Sequence, residues 1–244
     1  LKDVAEIFKA MGGEERVVIA ATKSDKSLFL FELIRIALGE PCDLSTSRLE
    51  AVGEVIEFIK TELWPHVGIK SRDVDWRTAG GFLLSDSVYL ARDWTYSLSS
   101  LRESGRIQEF DIYEGLIWRG AKPVYLLGGD FLAIPKSGRH TELAKELLRF
   151  LISREVQAAF VKELSWPTMR VDVVSEAGGF DKVHNERINR AMLKAAPVPD
   201  YWDRNTRQFY ENLFEMIVDP NSDVEDSITQ FRERWPKICW RRDQ

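Results

Sequence analysis

Residues 125–167, YLLGGDFLAIPKSGRHTELAKELLRFLISREVQAAFVKELSWP, join three local signals in one order. A double-glycine turn at Gly128 and Gly129 leads into a short apolar strand, Phe131 to Ile134, and Pro135 and Gly138 then break the chain before two amphipathic helices. Upstream, Ile107 to Tyr113 and Pro123 to Leu127 read as strands that flank the glycine turn. Downstream, Asn185 to Lys194 and Arg207 to Val218 read as helices, separated by AAPVPDYWDRN. Asp223 to Ile238 is a third helix, with Val224, Ile228, Phe231 and Trp235 on one stripe and Pro236 near its end.

The first half carries the same mixture. Val4, Ile7, Phe8 and Met11 fall at the spacing of one helical face. Val17 to Ala21 is a β-rich run that predicts a buried strand, and Leu28 to Leu38 is apolar on nearly every face, as a helix enclosed in a core would be, although it carries Glu32 and Arg35. Gly39 and Pro41 end it. Ser47 to Leu63 places Leu49, Val52, Ile56, Ile59 and Leu63 on one stripe, with Ser47 as the expected N-cap and Pro65 beyond the end. Asp75 to Leu84 then leads into Val88 to Leu101, which contains ARDWTYSLSSL. Neither an internal repeat nor a low-complexity tract is visible.

Composition bounds the function without selecting it. A chain of 244 residues that is 44% hydrophobic can build one large or two smaller cores. The net charge of −5 leaves no electrostatic footprint for a polyanion, so no nucleic-acid partner is expected. Apolar runs stay short of the ~18 residues of a membrane span. Cys42 and Cys239 form no disulfide framework and no zinc-ligand spacing, and they read as two free buried thiols. Because the chain opens inside a helical pattern at Leu1 rather than at a Met, a start upstream of this point is expected.

The ordered GG turn, strand, IPKSG break and helix pair, followed by Pro167, Thr168, Arg170, Asp172 and Val173, resembles the extracellular solute-binding proteins of family 1, the maltose-binding-protein-like sugar receptors of ABC importers. The resemblance covers about Val17 to Ile238 and implies an α/β, helix-rich fold of periplasmic binding protein type II. It implies the C-terminal lobe plus the returning segment of the N-terminal lobe, with much of that first lobe absent. On this basis residues 1–127 are a second-lobe segment, 128–166 a hinge strand and helix pair that packs on the first lobe, and 167–244 the second-lobe C-terminal helices. The implied function is solute binding, of a sugar or oligosaccharide, in an aromatic-lined interlobe cleft. Implied partners are the membrane subunits of an ABC transporter, at an extracytoplasmic location, with neither cofactor nor metal and no catalysis. The exposed apolar surface expected around Phe131 to Phe160, including Leu147, Leu148, Leu151 and Phe160, follows from the same absence of a first lobe.

The resemblance also implies where ligand would sit. A sugar presents hydroxyl rims and weakly apolar C–H faces, so its site needs a flat ring and hydrogen-bonding acids, amides or arginines. Trp94 with Tyr96, Gly128-Gly129-Asp130, and Tyr201 with Trp202 occupy the places where family members put cleft-lining groups. Arg92 and Asp93 stand where the family has a glycine-proline step, and are read as a rim pair. Each has a plain packing alternative: a core tryptophan, a tight glycine turn, a local cap by Asp130, an exposed ion pair at Arg92 and Asp93. Trp118, Trp166, Trp235 and Trp240 read as packing residues. The loop Gly39 to Asp43 has one glycine and no preceding tryptophan, which weakens any ligand role for it.

Signals for chemistry are weak by comparison. His66, His140 and His184 are isolated and read as surface or turn residues, and the chain contains no GxSxG, HExxH, P-loop or GxGxxG. A carbohydrate-active enzyme with two carboxylates facing across an aromatic cleft, or a ligand-sensing domain reusing the fold, are the alternatives.

Overall fold

The computed structural model describes residue 10 and residues 17–19, 24–39, 45–67, 74, 78–85, 88–112, 126–127, 132–164, 168, 170, 172–173, 179–197 and 202–239. The chain forms two compact units: one from residues 1–94, 115–124 and 198–244, the other from 95–114 and 125–197.

The first unit opens with β1 (Val17–Ile19), three β-branched residues that are all buried. α1 (Ser24–Leu38) follows, with Phe29, Leu30, Phe31, Leu33, Ile34 and Leu38 enclosed on successive faces, as its unbroken apolar run predicts. It begins four residues before Leu28, with Asp25 in a first turn where a carboxylate complements the helix dipole. It ends at Gly39, which adopts φ +73° and donates its N–H to the Arg35 carbonyl at 2.9 Å. The positive φ favours glycine, and a Cβ there would also come within 3.3 Å of the Arg48 guanidinium.

α2 (Thr46–Phe58) runs on through a π-helical turn, Ile59–Leu63, and a 3-10 turn, Trp64–His66. Ser45 rather than Ser47 occupies the N-cap, and its side chain makes no capping bond. β2 (Leu90–Arg92) pairs parallel with β1, in the register Val17–Leu90, Val18–Ala91 and Ile19–Arg92.

The second unit contains α3 (Leu98–Glu103), the two-residue strand β3 (Leu126–Leu127), α4 (Thr141–Leu151), α5 (Arg154–Leu164), α6 (Gly179–Lys194) and the strand β4 (Ala196–Pro197), which pairs parallel with β3. Two expected strands are absent from the described residues. Ile107–Glu109 is a 3-10 turn and Leu132 to Ile134 is irregular, and among the described residues neither segment pairs with a strand. The helix pair is present as expected, joined at Ile152 and Ser153.

The chain then returns to the first unit as α7 (Arg204–Val218) and α8 (Val224–Cys239). Asp203 caps α7, its Oδ1 accepting the Thr206 N–H at 2.7 Å. Phe209 and Tyr210 of α7 meet Phe231 and Trp235 of α8, Tyr210 also meets Phe31 of α1, and Phe214 meets Phe29 and Trp64. Trp235 and Phe231 are each 1% exposed, so the predicted stripe of α8 is its core face. Gly53 on α2 allows the close approach of α8: a Cβ there would lie 3.1 Å from Ile228 Cδ1. Lys60 joins α2's extension to the end of α7, its Nζ donating to the Ile217 carbonyl and to Ser222 Oγ, each at 3.2 Å.

Candidate functional site

Parallel strands present their carboxyl ends on one side, and in α/β folds that side is where ligands bind. In the first unit this edge is formed by Ile19 and Arg92, which stand opposite each other at the ends of β1 and β2. Asp93 and Trp94 leave the sheet directly after it, and Asp25 lies in the first turn of the helix that follows β1.

Arg92 is turned onto α1. Its Nε donates to Glu32 Oε2 at 3.0 Å and its Nη2 to Glu32 Oε1 at 2.7 Å, a bidentate pair with side chains 22% and 20% exposed. The guanidinium also stands 6.0 Å from the centroid of the Phe29 ring. Burial opposes the charge, but the Glu32 carboxylate, with Asp25 and Asp93 beyond it, outweighs that cost and raises the Arg92 pKa above its ordinary value. The close partner of Arg92 is therefore Glu32, while Asp93 adds attraction through space. Asp93 Oδ1 accepts the N–H of Trp94 at 2.7 Å, which fixes the chain direction as it leaves β2.

Trp94, two residues beyond Arg92, is half-buried. Trp202 is also half-buried: its ring lies 4.8 Å from that of Phe31 and 5.4 Å from that of Tyr210, so one side belongs to the aromatic core. Arg92 and Trp202 thus contact the same helix on neighbouring faces, since Phe31 and Glu32 are about 100° apart around α1. The side chain of Tyr96, and Gly128, Gly129, Asp130 and Tyr201 altogether, lie outside the described residues. The resemblance implies that Trp94 lines one concave surface with Gly129 and with Tyr201 or Trp202; Gly129 and Tyr201 fall outside the described residues, as does Cys42.

Glu32 was not singled out by the sequence reading, although a signal existed. A carboxylate in a helix enclosed on every face must find a cation, and Arg92 is what it finds. Asp25, 4% exposed, escaped for a related reason: its position at the sheet edge depends on a strand pairing across more than seventy residues. His184 is 3% exposed on α6, in contrast to the surface position expected of it. Among the described residues no group of three His, Cys, Asp or Glu side chains is placed to hold a metal ion, and no helix is long and apolar enough to cross a membrane.

No protein-family model matches this chain, and no curated protein does. Solved structures do. The chain is similar to maltose-bound MalE3 of T. maritima at 18% identity and a TM-score of 0.73, over 97% of this chain and 64% of that one. It is similar to an ABC transporter solute-binding protein of Thermotoga lettingae TMO bound with alpha-D-tagatose, at 20% identity and a TM-score of 0.69, over 92% of this chain and 59% of that one. A Streptococcus pneumoniae solute-binding protein in complex with the blood group A-trisaccharide aligns at 15% identity and a TM-score of 0.62, over 97% of this chain and 63% of that one. The fold is that of a periplasmic binding protein of type II, in a helix-rich part of it. The chain spans less than two thirds of the length of each of these neighbours.

Proposed function

We propose that the chain is the solute-recognising component of an ABC importer, that its ligand is a carbohydrate, and that the ligand contacts the carboxyl edge of β1 and β2 around Trp94. The observation that carries this reading is the position of Trp94, half-buried just beyond the end of β2, in a fold of which three solved neighbours were each determined with a saccharide bound. The ring would take the C–H face of a sugar, while Asp93 and the groups at Gly128 to Asp130 and Tyr201 to Trp202 would take its hydroxyls. Arg92 has a supporting part: held by Glu32, it anchors the strand end from which Trp94 projects.

No covalent step belongs to this reading. Ligand binding favours a closed arrangement of two lobes, by as much as its affinities for the two arrangements differ, and transporter subunits recognise that form. In it, residues 128–166 are the hinge strand and helix pair, and 1–127 and 167–244 belong to the second lobe. The location is extracytoplasmic.

Titration calorimetry with maltose, tagatose and the blood group A trisaccharide, alongside an amino acid and a short peptide, tests the proposal. Saturable binding of at least one saccharide, without turnover, is expected. Binding of the peptide or amino acid alone, or hydrolysis of a saccharide, overturns it.

A further inference from the structure

Lys60 is held by neutral oxygens. Its Nζ donates to the Ile217 carbonyl at 3.2 Å, to the Asp219 carbonyl at 2.5 Å and to Ser222 Oγ at 3.2 Å, and it makes no ion pair among the described residues. Other lysines differ: Lys26 is paired with Glu215, and Lys145 with Glu142. A primary ammonium has three N–H donors, so these three acceptors use its whole hydrogen-bonding capacity.

The three oxygens are positioned by the end of α7 itself. The Asp219 N–H closes the last helical bond, to the Glu215 carbonyl at 3.0 Å, and the backbone then turns extended at Asp219. A continuing helix would give the Asn221 N–H to the Ile217 carbonyl, but that N–H goes to Asp219 Oδ1 at 2.9 Å, which leaves the carbonyl to Lys60. Asn221 Nδ2 engages the same carboxylate oxygen at 3.3 Å. The Ser222 N–H returns to the Asp219 carbonyl at 3.2 Å, and Ser222 Oγ donates to the Met216 carbonyl, so its lone pairs accept Lys60.

Partial negative charge at the end of a helix favours a cation there. Arginines reach two other helix ends, Arg48 Nη1 donating to the Ala37 carbonyl of α1 at 3.3 Å and Arg170 Nη1 to the Ile152 carbonyl after α4 at 3.2 Å. At the end of α7, three oxygens gather about a single nitrogen. Lys60 enters from the π-helical turn Ile59–Leu63, a wider winding that recurs at functional positions in proteins.

We propose that the Ile217 carbonyl, the Asp219 carbonyl and Ser222 Oγ form a site selective for a primary ammonium group, that Lys60 is its built-in occupant, and that the site accepts a free primary ammonium ion when this side chain is removed. The site belongs to the first unit and stands apart from the saccharide reading.

Chemical rescue tests it. Lys60→Ala deletes the atoms from Cγ to Nζ, which propylammonium reproduces. The variant should melt about 3–10 °C below the parent, and propylammonium chloride should restore most of that shift along a saturating curve. Tetramethylammonium, which has no N–H, and sodium chloride at the same concentration should restore little. Lys60→Met keeps the stem and lacks the charge; it should also be destabilised, and not rescued, because its side chain fills the space that propylammonium needs. Lys26→Ala, which loses an ion pair to the same helix, controls for general effects of the amine. A rise of equal size with tetramethylammonium, in Lys60→Met or in Lys26→Ala overturns the proposal, as does no rise with propylammonium in Lys60→Ala. In the unsubstituted protein, heteronuclear NMR should show the Lys60 ammonium protons exchanging with water roughly tenfold more slowly than those of Lys145, and equal rates overturn the proposal as well.

Discussion

The two units hold themselves together in opposite ways. The first encloses the apolar side chains of α1 from Phe29 to Leu38 and locks α7 to α8 through stacked and edge-on aromatic rings, so its sequence is apolar where its structure is dry. The second fixes its helix corner through polar groups, Thr168, Gln157 and Arg170, and leaves its most amphipathic helix with an open apolar stripe. Amphipathic sequence is a statement about partners, and among the described residues the stripe of α4, Leu143, Leu147 and Phe150, is left open where the facing stripes of α7 and α8 are covered.

Substitution tests that contrast sharply. Trp235→Ala removes a ring that is 1% exposed and should cost about 3–5 kcal/mol in denaturant-induced unfolding of residues 1–244. Leu213→Ala, at 0% exposure, should cost about 2–5 kcal/mol, whereas Leu147→Ala should stay within about 0.5 kcal/mol of the parent. A cost at Leu147 equal to that at Leu213 would show the stripe already covered, and the contrast between the units would collapse.

The candidate site gives the next largest effect. In the full-length protein, Trp94→Ala should weaken saccharide binding by about 1–3 kcal/mol in calorimetry and leave the melting temperature nearly unchanged. Joint loss of binding and folding would instead make Trp94 a core residue of the first unit. Glu32→Gln keeps the shape of the Arg92 contact but removes the charge, and at these exposures about 1–2 kcal/mol of stability should go with it. The corresponding urea midpoint shift should be absent when Arg92→Met is already present, as a double-mutant cycle would reveal.

The smallest effect lies in the second unit. The Arg170 side-chain hydrogen bond lowers the Asp172 pKa below its ordinary 3.8. A depressed carboxylate contributes stability that is present above the unfolded-state pKa and is lost as pH falls through the folded-state value. Both groups are solvent-exposed, so the contribution is small and screened by salt. An NMR titration should place the Asp172 midpoint below 3.8 and return it toward 3.8 in Arg170→Ala.

Sequence legibility follows the same division. Helices whose apolar stripes meet partners nearby were readable: the stripe Val224, Ile228, Phe231 and Trp235 is the face α8 turns inward. Strands were readable where the run is β-branched and buried, as at Val17–Ile19, and failed at Ile107–Glu109 and Leu132–Ile134, which pair with no strand among the described residues. At the site, Trp94 was visible as a residue, but its setting was not. The Glu32–Arg92 pair spans sixty positions, and no local pattern connects a charge in a helix to a charge at a strand end. Ser47 was misread as a cap because the helix entry is set by the backbone of Ser45, without a capping side chain.

Lys60 bears on timing as well as on packing. Its bond to the Ile217 carbonyl joins residues 157 positions apart, and the Phe29–Phe214 contact spans a similar interval. The first unit can therefore complete its core only after α7 and α8 have left the ribosome, long after α1 and α2 have emerged. At about 5–20 residues per second, the roughly 150 intervening residues take about 8–30 s to synthesise. Through that interval the apolar faces of α1 stand without their later partners, while the helix corner of the second unit can already close on itself. During synthesis the α4–α5 corner is thus expected to close before α1 meets α7 and α8, and α1 to need a chaperone until then.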